Sequence, residues 1–218
     1  VSGSINYGVC EEFVVANEAS LLDVIENAPA GSTITLADDI NVASTVKVTK
    51  DLTIDLNGNN VTNTSNIWNP GSETTALISI KGNVDVTIKG NGVVDAKKDD
   101  VYAVEVRDGG NLVIVDGTFV GNCHAVYVKE GNATIKGGTF NIKQLNTAMA
   151  DPYAGLLNCY DDNYNATPKT ANIVVEGGKF FKFNPADNAA EGANTSFINA
   201  STHKSTKDGD WYVVTIKN

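Results

Sequence analysis

Few residues in this chain have the type and spacing that chemistry needs. The acidic pairs are Asp99-Asp100 and Asp161-Asp162. Glycoside hydrolysis uses two carboxylates roughly 5–9 Å apart, one of them kept protonated. Neighbours in an extended segment point to opposite faces, so an Asp-Asp dipeptide is not in itself such a pair. The expected role is turn formation, in which the carboxylate accepts from the local backbone. Arg107 is the single arginine, at a strand end between Val106 and Asp108-Gly-Gly. β-Elimination on a polyuronide would need a strong base, Arg107 or a Lys, beside acidic side chains holding calcium through about six to eight oxygens. The setting of Arg107 predicts an exposed ion pair instead. Cys123 and His124 adjoin, and adjacent strand residues face opposite ways, so no nucleophile–base pair is expected. Trp68, Tyr153, Tyr160 and Tyr164 fall in or beside long polar segments. An exposed ring can stack on the apolar face of a sugar or anchor a protein interface; the competing role is packing the segment onto a core. Trp68, Tyr153, Tyr160, Asp161, Asp162 and Tyr164 are therefore the expected ligand-binding residues. No catalytic residue, metal ligand or cofactor is assigned.

Composition narrows the classes. The 218 residues carry a formal charge of −10, which disfavours a nucleic-acid backbone as partner. No apolar run approaches the ~20 residues of a membrane span. With 42% hydrophobic residues the chain can bury a core without disulfide or metal staples. Cys10, Cys123 and Cys159 are an odd set with no metal-binding spacing, expected as small buried hydrophobes. The sequence begins at Val1 without a signal-peptide pattern, as expected of a mature form, a trimmed chain or part of a longer protein.

A repeat organises the rest. An apolar residue, a Gly or Asp two positions on and a Val or Phe five positions on recur from Leu56, Ile88, Ile114, Ile135 and Val175, at intervals of 32, 26, 21 and 40. A second apolar phrase precedes each later copy, at Leu77–Ile80, Val104–Val106, Val126–Val128 and Leu156–Cys159. Alternation places Val84, Val86 and Ile88 inward and Asp85, Thr87 and Lys89 outward. One unit cannot bury its inner face alone, whereas stacked units bury a continuous core. The period is too short for a propeller blade, and the turns are not hairpin turns. The expected fold is all-β: a right-handed parallel β-helix, as one domain over 1–218, with coils over about 33–200. The Gly-Gly pairs at 109–110, 137–138 and 177–178 read as sharp strand exits, not phosphate loops. Phe119, Phe140 and Phe180 should form an internal aromatic row. An N-terminal helix over about 17–30 is expected to cap one end. Asn17 or Ser20 would cap the helix, Leu21, Leu22 and Ile25 would form its stripe, and Pro29-Ala-Gly31 would stop it. A strand at 211–216 would cover the other end.

The run Ala19–Leu36 resembles the capping helix and first strand of pectin-lyase-like right-handed β-helices, and the later Gly-Gly-Thr-Phe units fit the same superfamily. That superfamily hosts lyases, hydrolases, adhesins and tailspikes, so fold does not settle function. The polygalacturonase pattern is absent: His124 and His203 are followed by Ala125 and Lys204, not Gly. A narrower likeness, in Leu156–Tyr164, Ile173–Phe180, Phe183–Asn188 and Glu191–Ala193, is to β-helical modules in fibre proteins of phages infecting gut Bacteroidales. This resemblance implies a non-enzymatic attachment module on a virion or at an extracellular or bacterial cell surface. Its partners would be a glycan or surface protein of a bacterial host and other virion or surface proteins, with no nucleic acid and no membrane insertion. The alternative is a secreted polysaccharide lyase or glycoside hydrolase.

Overall fold

The structure, a computed structural model, describes residues 10–97, 99–147 and 150–218. Alternating β-branched strands dominate it, and they gather into three sheets of parallel neighbours. The first sheet contains Glu12–Val15, Ser32–Leu36, Leu52–Asp55, Asp85–Lys89, Gly110–Ile114, Gly131–Ile135 and Ala171–Val175 in spatial order. The second begins with Ile40–Asn41, Asn60–Thr62, Val93–Asp95, Thr118–Gly121, Thr139–Ile142 and Gly178–Phe181. The third contains Val46–Val48, Ala76–Lys81, Tyr102–Arg107, Val126–Val128 and Leu157–Cys159. From Ser32 on, the chain visits the first, second and third sheets in turn and then returns to the first, one strand further along. This all-β arrangement is consistent with a solenoid-like fold.

The ladder sets like residue on like. Ile34 lies opposite Ile54, then Ile88, Ile114, Ile135 and Val175 follow in register, all buried. The repeat starting at Leu56 is thereby corrected. Ile88 pairs with Ile54, and Leu56 is buried in the corner beyond the strand, so that interval is two residues longer than the phrase suggested. Two further copies precede it, at Glu12–Val15 and Ser32–Leu36. Phe119, Phe140 and Phe180 form the expected internal row, with ring centroids 5.4 and 4.9 Å apart and nearly parallel planes. Gly138, at φ +100°, shows why the Phe phrases need glycine: a Cβ there would lie 2.8 Å from the Gly117 carbonyl oxygen.

The ends are closed by other elements. The α-helix Glu18–Asn27 is capped by Asn17, whose side chain accepts from the Ser20 amide while the Ser20 hydroxyl accepts from the Asn17 amide. Leu21 and Ile25 are buried, but Leu22 is 42% exposed and does not belong to the stripe. At the other end, Trp211–Ile216 runs antiparallel to Gly178–Phe181 and to His203–Asp208, ending the parallel run of the second sheet. The outermost strand carries Lys204 and Lys207, charges that discourage edge pairing. One apolar cluster extends from Val15 to Val214. No helix among the described residues is long and apolar enough to cross a membrane.

The aromatic row should carry a large share of this stability. Phe140→Ala, in the middle of the stack, is expected to cost about 3–5 kcal/mol, read from the urea unfolding midpoint. A loss below about 1 kcal/mol would mean that the stack is not a tightly packed core.

Candidate functional site

Circuit length varies at the corners of the third sheet. The corner from first to second sheet stays short, as at residues 90–92, 115–117, 136–138 and 176–177. The corner into the third sheet grows to residues 63–75 and 143–156, and the corner out of it to residues 160–170. The outer face of the third sheet is therefore the walled one. Its outward residues fall in register as Lys47, Ser79, Glu105, Tyr127 and Asn158.

One half of this face is charged and closed. Glu105 is 1% exposed, and its carboxylate accepts from the Thr75 hydroxyl at 2.8 Å and the Ser79 hydroxyl at 3.4 Å. Arg107 contradicts the expected exposed ion pair. It is buried, with Nη2 3.5 Å from Glu105 and Nη1 3.3 Å from Glu73. Glu73 comes from the 63–75 corner, which folds over the sheet, and it also pairs with Lys81 at 2.5 Å. Burial raises the Glu105 pKa despite these partners, while the Lys81 bond lowers that of Glu73. An arginine so enclosed is not presented as a base to a ligand.

The other half is aromatic and more open. Tyr102 lies 5.0 Å from Tyr127, 4.7 Å from His124 and 5.4 Å from Trp68, centroid to centroid. His124 stacks on Tyr127 at 5.2 Å. Tyr102, His124 and Tyr127 border a cavity of about 260 Å³ with Asn158, Cys159, Tyr160 and Asp161. Burial brings the His124 pKa down to about 4. Its Nδ1 meets the Gly155 carbonyl, which can only accept, so Nδ1 carries the proton. Burial pushes the Tyr102 and Tyr127 hydroxyls well above their ordinary range. A larger cavity of about 370 Å³ shares His124 and Asn158 with the smaller one.

The expected ligand residues divide. Tyr160, 39% exposed, and Asp161 line the smaller cavity. Asp162 accepts from the Tyr160 hydroxyl at 3.0 Å, and that bond raises the Tyr160 pKa. Trp68 reaches the group by its edge contact with Tyr102. Tyr153 instead packs edge-on against Phe181 at 5.6 Å, and Tyr164 sits under the Lys169 ammonium at 3.5 Å. Tyr102, His124, Tyr127 and Asn158, which line the smaller cavity, were not among the expected residues. Their signal was alternation: Val126-Tyr127-Val128 and Leu157-Asn158-Cys159 each put one polar or aromatic residue outward.

The remaining candidates have structural partners, and Asp99 does not make the expected local turn bond: its partner, Ile67, lies 32 positions earlier in the chain. Asp99 accepts from the Ile67 amide at 3.1 Å, and Asp161 opens the short helix Asp161–Tyr164. Cys123 contacts Asp100 at 3.7 Å, and burial raises its thiol to about 11. Cys159 is buried, whereas Cys10 is exposed, contrary to expectation. Glu191 accepts from the Cys159 amide at the edge of the third sheet, and its other oxygen is buried without a hydrogen-bond partner. Burial pushes this carboxyl up to about 7. Among the described residues no group of three His, Cys, Asp or Glu could hold a metal ion. No known protein family, curated protein or solved structure matches the chain.

Two stability predictions follow from these charges. Arg107→Met strands Glu105, and leaving one buried charge unpaired costs about 3–5 kcal/mol. Adding Glu105→Gln should recover most of the loss in urea unfolding; a single variant as stable as wild type would contradict the network. Glu191 keeps its proton when folded between its ordinary 4.5 and about 7, so its contribution is full below pH 4.5 and lost as pH rises toward 7. His124 stays neutral when folded between about 4 and its ordinary 6.5, so its contribution is full above 6.5 and lost as pH falls toward 4. Relative to wild type, Glu191→Gln should therefore show stability that rises with pH across the acid-to-neutral range. Parallel profiles for the two proteins would exclude Glu191 as the group responsible.

Proposed function

We propose that this chain is a right-handed parallel β-helix of the pectin-lyase-like kind and a non-enzymatic attachment module of a phage fibre or cell surface. Its ligand is a glycan of a bacterial host, held on the outer face of the third sheet. The observation that carries this reading is the group of adjoining rings, Trp68, Tyr102, His124 and Tyr127, beside a cavity rimmed by Asn158, Tyr160 and Asp161. Rings offer an apolar surface to the C–H face of a sugar, and the rim offers hydrogen-bond partners to its hydroxyls. The solenoid part of the reading rests on the three parallel sheets visited in fixed order. An acidic chain with every long parallel ladder in register suits an exposed, protease-resistant position on a virion or outside a cell.

A hydrolase is the second reading. Glu191 is held protonated to about 7 near the Asp161 charge, as an acid beside a carboxylate would be. A lyase gains nothing from Arg107, which Glu73 and Glu105 enclose.

A polysaccharide panel scored for both binding and cleavage, with and without calcium, separates these readings. Saturable binding without cleavage is expected. Tyr127→Ala should weaken it about tenfold or more, and Tyr164→Ala should leave it unchanged. Cleavage abolished by Glu191→Gln would replace the attachment reading with the hydrolase.

A further inference from the structure

The two cavities beside the aromatic group have different walls. The smaller, about 260 Å³, has the rings and a single charged side chain, Asp161. The larger, about 370 Å³, has no charged side chain among the described residues that line it. Ile142, Leu145 and Ala154 give it an apolar side, while Gln144 and Asn158 present amides. His124 and Asn158 belong to both walls, so the cavities adjoin across that pair.

Resting on the glycan-binding reading, we infer that these cavities are consecutive subsites of one groove, which takes an uncharged oligosaccharide and rejects uronic acids. Recognition of a carboxylate draws on Arg or Lys, and neither type lines either cavity. Of the nearby basic groups, Lys129 acts on Glu105, whose pKa it lowers, and it lines neither cavity. Arg107 lies between Glu73 and Glu105, and the Lys169 ammonium sits on the Tyr164 ring. His124 supplies no positive charge either, because burial keeps its ring neutral above about pH 4. Asp161 repels a uronate directly, and a chain charge of −10 opposes a polyuronide at longer range. A neutral sugar meets none of these costs. Its ring can lie against Tyr102 and Tyr127 in the smaller subsite. In the larger subsite an acetamido methyl fits the side formed by Ile142, Leu145 and Ala154, and amides bond amides well. Glycans bearing N-acetylhexosamine therefore satisfy both subsites best.

The test is calorimetric titration of the full chain with tri-N-acetylchitotriose, its monosaccharide N-acetylglucosamine, cellotriose and trigalacturonate. The neutral trisaccharides should bind about tenfold or more tightly than trigalacturonate, and tri-N-acetylchitotriose about tenfold or more tightly than the monosaccharide. Asn158→Leu, at the shared wall, should remove the advantage of trisaccharide over monosaccharide. Asp161→Lys, at an exposed position, should raise trigalacturonate affinity without affecting folding. Equal binding of trigalacturonate and the neutral trisaccharides would overturn the inference, as would equal binding of trisaccharide and monosaccharide. If neither neutral trisaccharide binds, but another glycan does and loses affinity in Tyr127→Ala, the subsite inference falls and the attachment reading stands. If Tyr127→Ala weakens no glycan, or no glycan binds, both fall.

Discussion

Register is the constraint on which everything else depends. In parallel sheets with one buried face, slipping a strand by one residue turns every core side chain toward water. The column Ile34, Ile54, Ile88, Ile114, Ile135, Val175 allows no such slip. Residues cannot be added inside strands, so length must change at corners. The corner from first to second sheet is pinned by close backbone approaches. The Cβ positions of Gly117, Gly138 and Gly178 lie 2.8–3.1 Å from carbonyl oxygens of the preceding circuit. Extra residues therefore collect at the two corners that flank the third sheet, and the outer face of that sheet becomes the walled surface.

Periodic features were legible in the sequence, and contacts across circuits were not. The recurring Gly–x–Phe phrase located Phe119, Phe140 and Phe180, because a stacked residue repeats in type. The same matching misplaced Leu56. Gly58 and Gly90 both take positive φ, so aligning the glycines looked right, yet the ladder is set by Leu52 and Ile54 against Val86 and Ile88. Arg107 was misread for a related reason. Its own neighbours suggested a strand end, but its burial comes from Glu73, 34 positions earlier, which an insertion lays over it. Among the site residues, Tyr160 and Asp161 were visible as polar loop positions. Tyr102 and Tyr127 were hidden as single outward residues in strands that were read for their inward ones.

The same insertion divides the outer face of the third sheet. Along Lys47, Ser79, Glu105, Tyr127 and Asn158, the 63–75 corner covers the middle and contributes Glu73 and Thr75 to the Glu105–Arg107 pair. Its Trp68 then reaches Tyr102, at the edge of the aromatic half. Anchoring the insertion by charge thus encloses the sole arginine, while the rings beside it stay half-buried. The second insertion, 143–156, brings Gly155 to His124, and the carbonyl bond fixes which ring nitrogen holds the proton. An aromatic ledge whose cavity has no Arg or Lys in its lining borders the closed charged half. How the insertion is held down decides which side chains of this face solvent can reach.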